Sequence, residues 1–448
     1  MSLVPDKIPS LSSLTFFFPF KHPSGVSNVF LCMARFLAVQ YPLQVSLVDY
    51  PDGQMARQLT SGDSVHLVPF KDGQPLIIAT DTVLVMQSGL PYAMRPELRV
   101  PDTTRIILWD FLFFSMVNTI CPFEPLRRIQ NRSPKFYRAF MSIFMPRLLR
   151  DLERFLNSLM AKRAILFQDR YNYFETIEFL RPAGEEPTYL PAPIQVPPAP
   201  PERKPHGGGW LRLGWIGRLY DFKIHILWHT LERASRLAMR RRLPIRFLIV
   251  GDGDYAEKLS SHPFGHEWFE VNQVGAVPSA SLPEFILTNM DLLLAMGTSA
   301  LEGARLGLPT VLLDYAFAPL VRPYRFKWLF EVTPGDIGHQ IGEEDYEPAE
   351  ESLDYIIDGL LEPGGDIARR CFEHCRAHHG LEAVAAKFME NLEGSSFRFG
   401  DTPPRLRQKN LIRKMMDYRR YGWRELSSLD RTGRGGCSTP VDTRKEVP

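Results

Sequence analysis

The chain has 448 residues, 44% of them hydrophobic and 23% charged, and its 53 basic and 51 acidic side chains leave a net charge of +2. A chain of this length holds two or three domains of about 150 residues, and the apolar fraction excludes intrinsic disorder. The near balance of charge excludes a protein that attracts nucleic acid through a basic field over its whole surface, so an anionic partner has to be held by local groups. Cys32, Cys121, Cys371, Cys375 and Cys437 are odd in number and scattered, which speaks against a disulfide framework and for a reducing compartment. The first ten residues contain Asp6, Lys7 and two prolines rather than the basic-then-apolar layout of a secretion signal, so a cytoplasmic location is expected.

In chain order, the first half predicts a strand over 14–20, a turn at His22-Pro23-Ser24-Gly25, a helix over 29–41 and strands over 44–49, 64–69, 82–87, 105–110 and 163–168, with helical material between several of them. The apolar run 106–123 is short for a bilayer and is interrupted by Asp110, Ser115, Asn118 and Thr119. It reads as a buried strand entering an apolar loop. Residues 126–154 hold eight basic and two acidic side chains among Phe, Met and Leu. Such a stretch suits contact with an anionic membrane; the plainer account is a solvated helix face.

The segment LPAPIQVPPAPPERKPHGGG, residues 190–209, contains seven prolines and three glycines. Proline removes amide donors and fixes φ, so the segment reads as an extended connector. Beyond it, strands are expected over 211–216, 245–250, 271–274, 291–295 and 310–314, alternating with helices over 224–240, 255–260, 282–288 and 300–306. From 403 to 448 there are twelve basic and five acidic residues, read as a basic helix as far as 426 and a disordered tail after 430. The division expected is thus 1–190, a linker 191–209, a second domain 210–400 and a basic extension 401–448. Alternating β and α signals imply parallel sheets with ligands at the carboxyl ends of the strands.

Three stretches carry chemistry. Gly217-Arg218-Leu-Tyr-Asp-Phe-Lys223 ends a strand and offers two cations for a diphosphate; the plainer account of this stretch alone is that Arg218 caps a helix carboxyl end and Lys223 is solvated. Val250-Gly251-Asp-Gly253 closes another strand in a tight turn that lets a ligand approach the backbone or simply turns the chain. Gly297-Thr298-Ser299 opens a helix whose free amides suit a phosphate, and Glu302 one turn on suits a ribose diol; Ser299-x-x-Glu302 also spells a capping box.

Together with Gly275-Ala-Val277-Pro278 and Leu301-Glu302-Gly303-Ala-Arg-Leu-Gly307-Leu-Pro309, these stretches resemble, in order and spacing over about a hundred residues, the donor half of GT-B glycosyltransferases, in particular the retaining family four. The resemblance implies two Rossmann-like βαβ domains facing across a cleft, with no cofactor beyond a sugar-nucleotide co-substrate and no metal. It implies that Arg218 and Lys223 hold a diphosphate, that Glu302 holds the ribose, and that Gly217, Gly251, Val277, Gly297, Thr298 and Ser299 line the donor site. Ser24-Gly25-Val26-Ser27 looks like the glycine loop of the acceptor-side domain that closes over the phosphates, which adds Gly25 to the donor-binding residues. The implied activity is hexosyl transfer from a nucleoside-diphosphate sugar to a glycan or lipid-linked acceptor in cell-surface polysaccharide synthesis, at the inner face of the membrane.

The family's first glutamate falls here on Leu294, and its active-site histidine on Trp109, followed by Asp110. These departures leave two alternatives, a catalytically degenerate GT-B binding or assembly subunit and a sugar-nucleotide epimerase. In a retaining reaction the leaving diphosphate takes the acceptor's proton, and Arg218 and Lys223 stabilise the charge that develops on it. An inverting reaction needs a protein base, for which Asp110 and His22 are the candidates. Cys371, His374, Cys375 and His378 share one helix face, but four ligands on one straight helix close a zinc tetrahedron poorly.

Overall fold

The computed structural model describes residues 11–22, 24–89, 94, 97–111, 115–118, 133–182, 184, 186–202, 209–260 and 264–407. The end of the 106–123 run, the start of the basic stretch, the glycine end of the linker, the basic extension beyond 407, Cys121 and Cys437 lie outside the described residues. The chain forms two units, Met1–Leu190 with Ala385–Pro448, and Pro191–Val384.

Strands of the first unit read as almost unbroken apolar runs, as expected of a parallel sheet covered on both faces. They are β1 (Ser13–Phe17), β2 (Gln44–Asp49), β3 (His66–Pro69), β4 (Leu76–Ile77), β5 (Thr82–Gln87), β6 (Leu98–Arg99), β7 (Arg105–Asp110), β8 (Ile165–Phe167) and β9 (Thr188–Tyr189). Seven of them pair in parallel in the order β3-β2-β1-β5-β7-β8-β9, while β4 and β6 form a separate parallel pair. The strand order reverses direction between β1 and β5, which makes that point the switch of a doubly wound sheet. The helix Gly25–Gln40 buries Val26, Val29, Phe30, Met33, Ala34 and Leu37, a stripe of the i, i+3, i+4 kind.

The second unit repeats the winding. Its strands β10 (Leu211–Ile216), β11 (Ile245–Val250), β12 (Phe269–Gly275), β13 (Leu292–Ala295), β14 (Thr310–Leu312) and β15 (Lys327–Trp328) stand in the order β12-β11-β10-β13-β14-β15. All pairs are parallel except β14 with β15. Both units are Rossmann-like, and the second has its switch point between β10 and β13.

The structure differs from the sequence reading in several places. Helices Ser352–Leu361, Ile367–His379 and Leu381–Gly394 occupy a stretch in which only one helix face was expected. From Ala385 onward the chain counts with the first unit rather than with a second domain ending at 400. There, Phe388 stacks on Trp109 with ring centroids 5.8 Å apart. Residues 191–202 are tied into the second unit instead of forming a free connector: the Ile194 amide donates to His379 O at 2.8 Å and its carbonyl accepts from Leu381 N at 3.0 Å. Pro404–Leu406 form a short 3-10 turn, with Leu406 buried in the first unit's core, within the stretch from which a basic helix was expected. Among the described residues no helix is long and apolar enough to cross a membrane.

Candidate functional site

Parallel strands end on one edge, and in the second unit that edge collects the three motif stretches. Pairing of Leu213 with Leu292 and Gly214 with Leu293 sets β10 and β13 side by side, so Ile216 and Ala295 end level. The loops that follow, Gly217-Arg218 and Met296-Gly297, therefore start at the same height, about 5 Å apart, at the switch point.

On the first of these loops, the exposed Arg218 donates from Nη1 to Tyr220 Oη at 3.1 Å and lies over the Tyr220 ring. Lys223 sits in the first turn of the helix Asp221–Arg241, partly buried, with no acidic partner among the described residues. Burial, reinforced by the nearby Arg218 guanidinium, pushes its ammonium down to about 8. A half-desolvated cation without a counter-ion is a group that gains from an incoming anion.

The second loop is held by backbone contact. A Cβ on Gly251, whose φ is +142°, would stand 1.9 Å from Gly217 O, and one on Gly253 would stand 2.6 Å from Leu219 O. Hydrogen bonds from Gly217 N to Val250 O (3.0 Å) and from Leu219 N to Asp252 O (3.1 Å) join this loop to the first, and Gly251 N to Gly275 O (2.9 Å) ties it to the end of β12. Gly251 thus has a packing reason: it admits the Arg218 loop, where the sequence reading had left a ligand's approach open. Val277 follows, partly exposed, after Gly275.

At the third, Gly297 caps the helix Thr298–Arg305 with φ +66°, a conformation that favours glycine. Its own amide donates to Ile337 O at 2.6 Å, which leaves Thr298 and Ser299 as the first amides of the helix without a carbonyl one turn back. The capping-box alternative does not form: Gly297 and not Ser299 is the cap, no side chain caps the helix, and Glu302 instead pairs with Arg305 at 2.6 Å. Gly303 allows the helix to lie close to the sheet, since a Cβ there would stand 2.5 Å from Leu293 Cδ2.

Leu294 is fully buried inside β13, and only Met296 and Gly297 separate that strand from the helix. The missing glutamate is therefore a consequence of a short loop, with a core residue at that spacing. Trp109 is likewise fully buried; its Nε1 donates to Leu190 O at 3.0 Å and its ring packs on Phe111 and Phe388. Both are core positions.

In the first unit, Gly25 is exposed at the start of its helix, and a Cβ there would meet nothing within 4 Å. Asp110, at the end of β7, is 1% exposed and accepts from Ser88 Oγ at 2.8 Å; that hydroxyl also reaches Ser115 Oγ at 2.6 Å. These surroundings favour a structural carboxylate over a base. His22 is exposed beside Phe20. The thiols of Cys371 and Cys375 are buried, pushed up to about 12 by desolvation, and directed at Thr310 O and Leu301 O.

Sequence reasoning missed a buried cluster after β14 made of Asp314, Asp336, His339 and Asp345. Its members are separated by up to 31 positions, and no spacing motif joins them; only Asp314, at a strand end, carried a signal. The reading also missed Phe222, Tyr315 and Phe317, whose rings meet at 5.6 to 6.3 Å beside Lys223.

No protein-family model and no curated protein matches this chain. Solved structures similar to it are glycosyltransferases. One from Rickettsia africae ESF-5 aligns with a TM-score of 0.49 and 10% identity over 85% of this chain and 97% of its own. Anabaena Alr3699/HepE, in complex with UDP and glucose, aligns at 0.47 and 13% over 85% and 99%. The lipopolysaccharide outer core galactosyltransferase WaaB, in its apo form, aligns at 0.49 and 12% over 85% and 99%. Such low identities and scores transfer no residue role to this chain, and the reading below rests on the geometry of the site.

Proposed function

We propose that this chain is a GT-B glycosyltransferase that binds a nucleoside-diphosphate sugar on its second unit and passes the sugar to a glycan or lipid-linked acceptor. The observation that carries the reading is the convergence, at one switch point, of Arg218, the uncompensated Lys223 and the glycine-capped helix start at Thr298 and Ser299. Cations and helix amides together suit a diphosphate, which a single cation would hold weakly. Glu302, drawn toward Arg305, is offered to the ribose, and Gly275 to Val277 border the base.

In the proposed reaction the bond from the anomeric carbon to the diphosphate oxygen breaks, and charge grows on the leaving oxygen. Arg218, Lys223 and the helix amides are preset for that charge and stabilise it more in the transition state than in the bound donor. Retention of configuration fits the site best, because the leaving diphosphate then accepts the acceptor's proton and no exposed protein base is required. Leu294 and Trp109, the departures that favoured a degenerate subunit, occupy core positions and lend that alternative no support.

For the acceptor side, the helix Pro134–Phe144 presents Phe136, Ile143 and Phe144 at 61%, 70% and 67% exposure, near exposed Lys135, Arg147 and Arg150. Aromatic and aliphatic groups flanked by cations suit the surface of an anionic membrane, where a lipid-linked acceptor would be met. Calorimetric titration with a panel of nucleoside diphosphates and their sugars tests the donor reading. Binding abolished by Lys223→Ala is expected, and a panel without any binder would sink it.

A further inference from the structure

Within the second unit, one imidazole is surrounded by three carboxylates, all four side chains being 5% exposed or less. His339 Nδ1 lies 3.0 Å from Asp314 Oδ1 and 3.4 Å from Asp336 Oδ2, and its Nε2 lies 3.0 Å from Asp345 Oδ2. Both ring nitrogens stand within ion-pair distance of carboxylates, surroundings that favour the protonated ring. Burial opposes that charge, but the three acids outweigh it and hold the ring far above the ordinary histidine range.

The atoms of Asp314, His339 and Asp345 lie within 4.8 Å of one another, a spacing that would suit a cation. Those directions are already taken by protons. Tyr324 Oη donates to Asp314 Oδ2 at 2.8 Å, Lys327 Nζ to Asp345 Oδ1 at 2.9 Å and Gly342 N to Asp345 Oδ2 at 2.9 Å. The cluster is a closed ion network. Such a network is costly to bury compared with an apolar core of the same volume, and what it confers is a single geometry.

Its neighbours identify which geometry. Two residues before His339, the Ile337 carbonyl accepts the 2.6 Å hydrogen bond from Gly297 N, the cap of the phosphate-site helix. Two residues after Asp314, the Ala316 amide donates to Phe222 O at 3.0 Å, next to Lys223. Between them, Tyr315 N donates to His339 O at 2.8 Å and Ile341 N to Tyr315 O at 2.9 Å. Gly338, at φ +106°, passes so close to Leu313 O that a Cβ would stand 2.6 Å from it.

We propose that His339 is a positioning residue: by clamping Asp314 and the 336–341 segment together, it holds the Gly297 cap and the Phe222–Lys223 turn in register for one diphosphate. The inference rests on the donor-site reading above. It assigns to a residue 42 positions from Gly297 and 116 from Lys223 the task of fixing the distance between them. Misplacement of such groups by about 1 Å costs up to roughly 100-fold in function.

The test uses inorganic pyrophosphate, the chemistry common to every nucleoside diphosphate, titrated into the full chain and its variants at temperatures where all are folded. His339→Gln, which keeps a donor but no charge, is expected to weaken pyrophosphate binding roughly 10- to 100-fold. Gly338→Ala, which strains the same segment while leaving all four charged side chains in place, is expected to do likewise. Leu237→Ala removes a buried side chain on the same helix as Lys223, fourteen residues along and about 21 Å away. It should lower the melting temperature and leave the affinity unchanged. In a spectrum of protein labelled with [15N]glycine, the Gly297 amide, strongly shifted by its short hydrogen bond, should move in His339→Gln and stay in Leu237→Ala. Native-like affinity and an unmoved Gly297 resonance in a folded His339→Gln variant would overturn the proposal. If the native chain binds neither pyrophosphate nor any nucleoside diphosphate, the donor-site reading fails first and the positioning role falls with it.

Discussion

The carboxyl edges of the two sheets carry opposite chemistry on the same winding. In the first unit the strand ends bear acids that are turned inward. Asp49, the last residue of β2, accepts from the amides of Phe20, Tyr50, Met55 and Ala56, and Asp169, after β8, caps its helix by accepting from Asn172 N. Asp110 accepts from Ser88. Each of these carboxylates organises its own loops. In the second unit the switch point carries Arg218, Lys223 and a glycine-capped helix start; of its acids, the exposed Asp221 and Asp252 each accept from the next amide in the chain, Asp254 is exposed, and Asp314, Asp336 and Asp345 are buried around His339. A doubly wound sheet brings loops to one edge in either case; the cations and helix starts that those loops carry decide which edge suits an anion.

The comparison can be broken most sharply at Lys223. Lys223→Ala, and separately Arg218→Ala, should weaken nucleoside diphosphate binding by about 100-fold or more, measured by calorimetry, since each removes a charge-assisted contact to phosphate. Asp110→Asn should leave that affinity within about twofold, because the acid edge is taken to be structural. Equal losses at the two edges would erase the distinction.

A second test concerns the core. Trp109→Ala should destabilise the first unit by about 3–5 kcal/mol in denaturant unfolding, the cost of emptying a large aromatic site. A fully stable variant with lost turnover would return Trp109 to the active site.

A third uses pH. Free Lys223 loses its proton near 8, and a bound diphosphate raises that value again. Affinity should therefore be full below pH 8 and fall as pH rises through 8, with proton uptake on binding visible as a buffer-dependent heat. Flat affinity from pH 7 to 9 would mean that Lys223 does not touch the anion. The smallest effect is expected at Glu302: Glu302→Gln should weaken a nucleoside diphosphate by about five- to tenfold and leave pyrophosphate unchanged, as suits a ribose contact.

Much of this was legible in the sequence because the strands are short, apolar and bounded by glycine or by charge. The bounds 44–49, 82–87, 105–110, 211–216 and 245–250 coincide with β2, β5, β7, β10 and β11. The glycines at 251, 253 and 297 also marked real turns, although the reason for Gly251 is the carbonyl of Gly217, a partner 34 positions away that no local pattern reveals. Long-range partners account for the other misses. Trp109 was compared with a catalytic position because it ends a strand, yet its surroundings come from Leu190, Phe111 and Phe388. The prolines at 191–202 signalled an extended chain correctly, but not that Ile194 would bond to the ends of two helices. His339 gave no sign at all, since Asp314 lies 25 positions before it and neither Asp336 nor Asp345 stands at a spacing that marks a site.

The most direct measurement is a calorimetric titration of nucleoside diphosphates into the native chain, Lys223→Ala and Asp110→Asn side by side. The account predicts that at least one nucleoside diphosphate binds the native chain, that Lys223→Ala abolishes the binding and that Asp110→Asn preserves it. Absence of binding to the native chain, or binding that survives in Lys223→Ala, would contradict it.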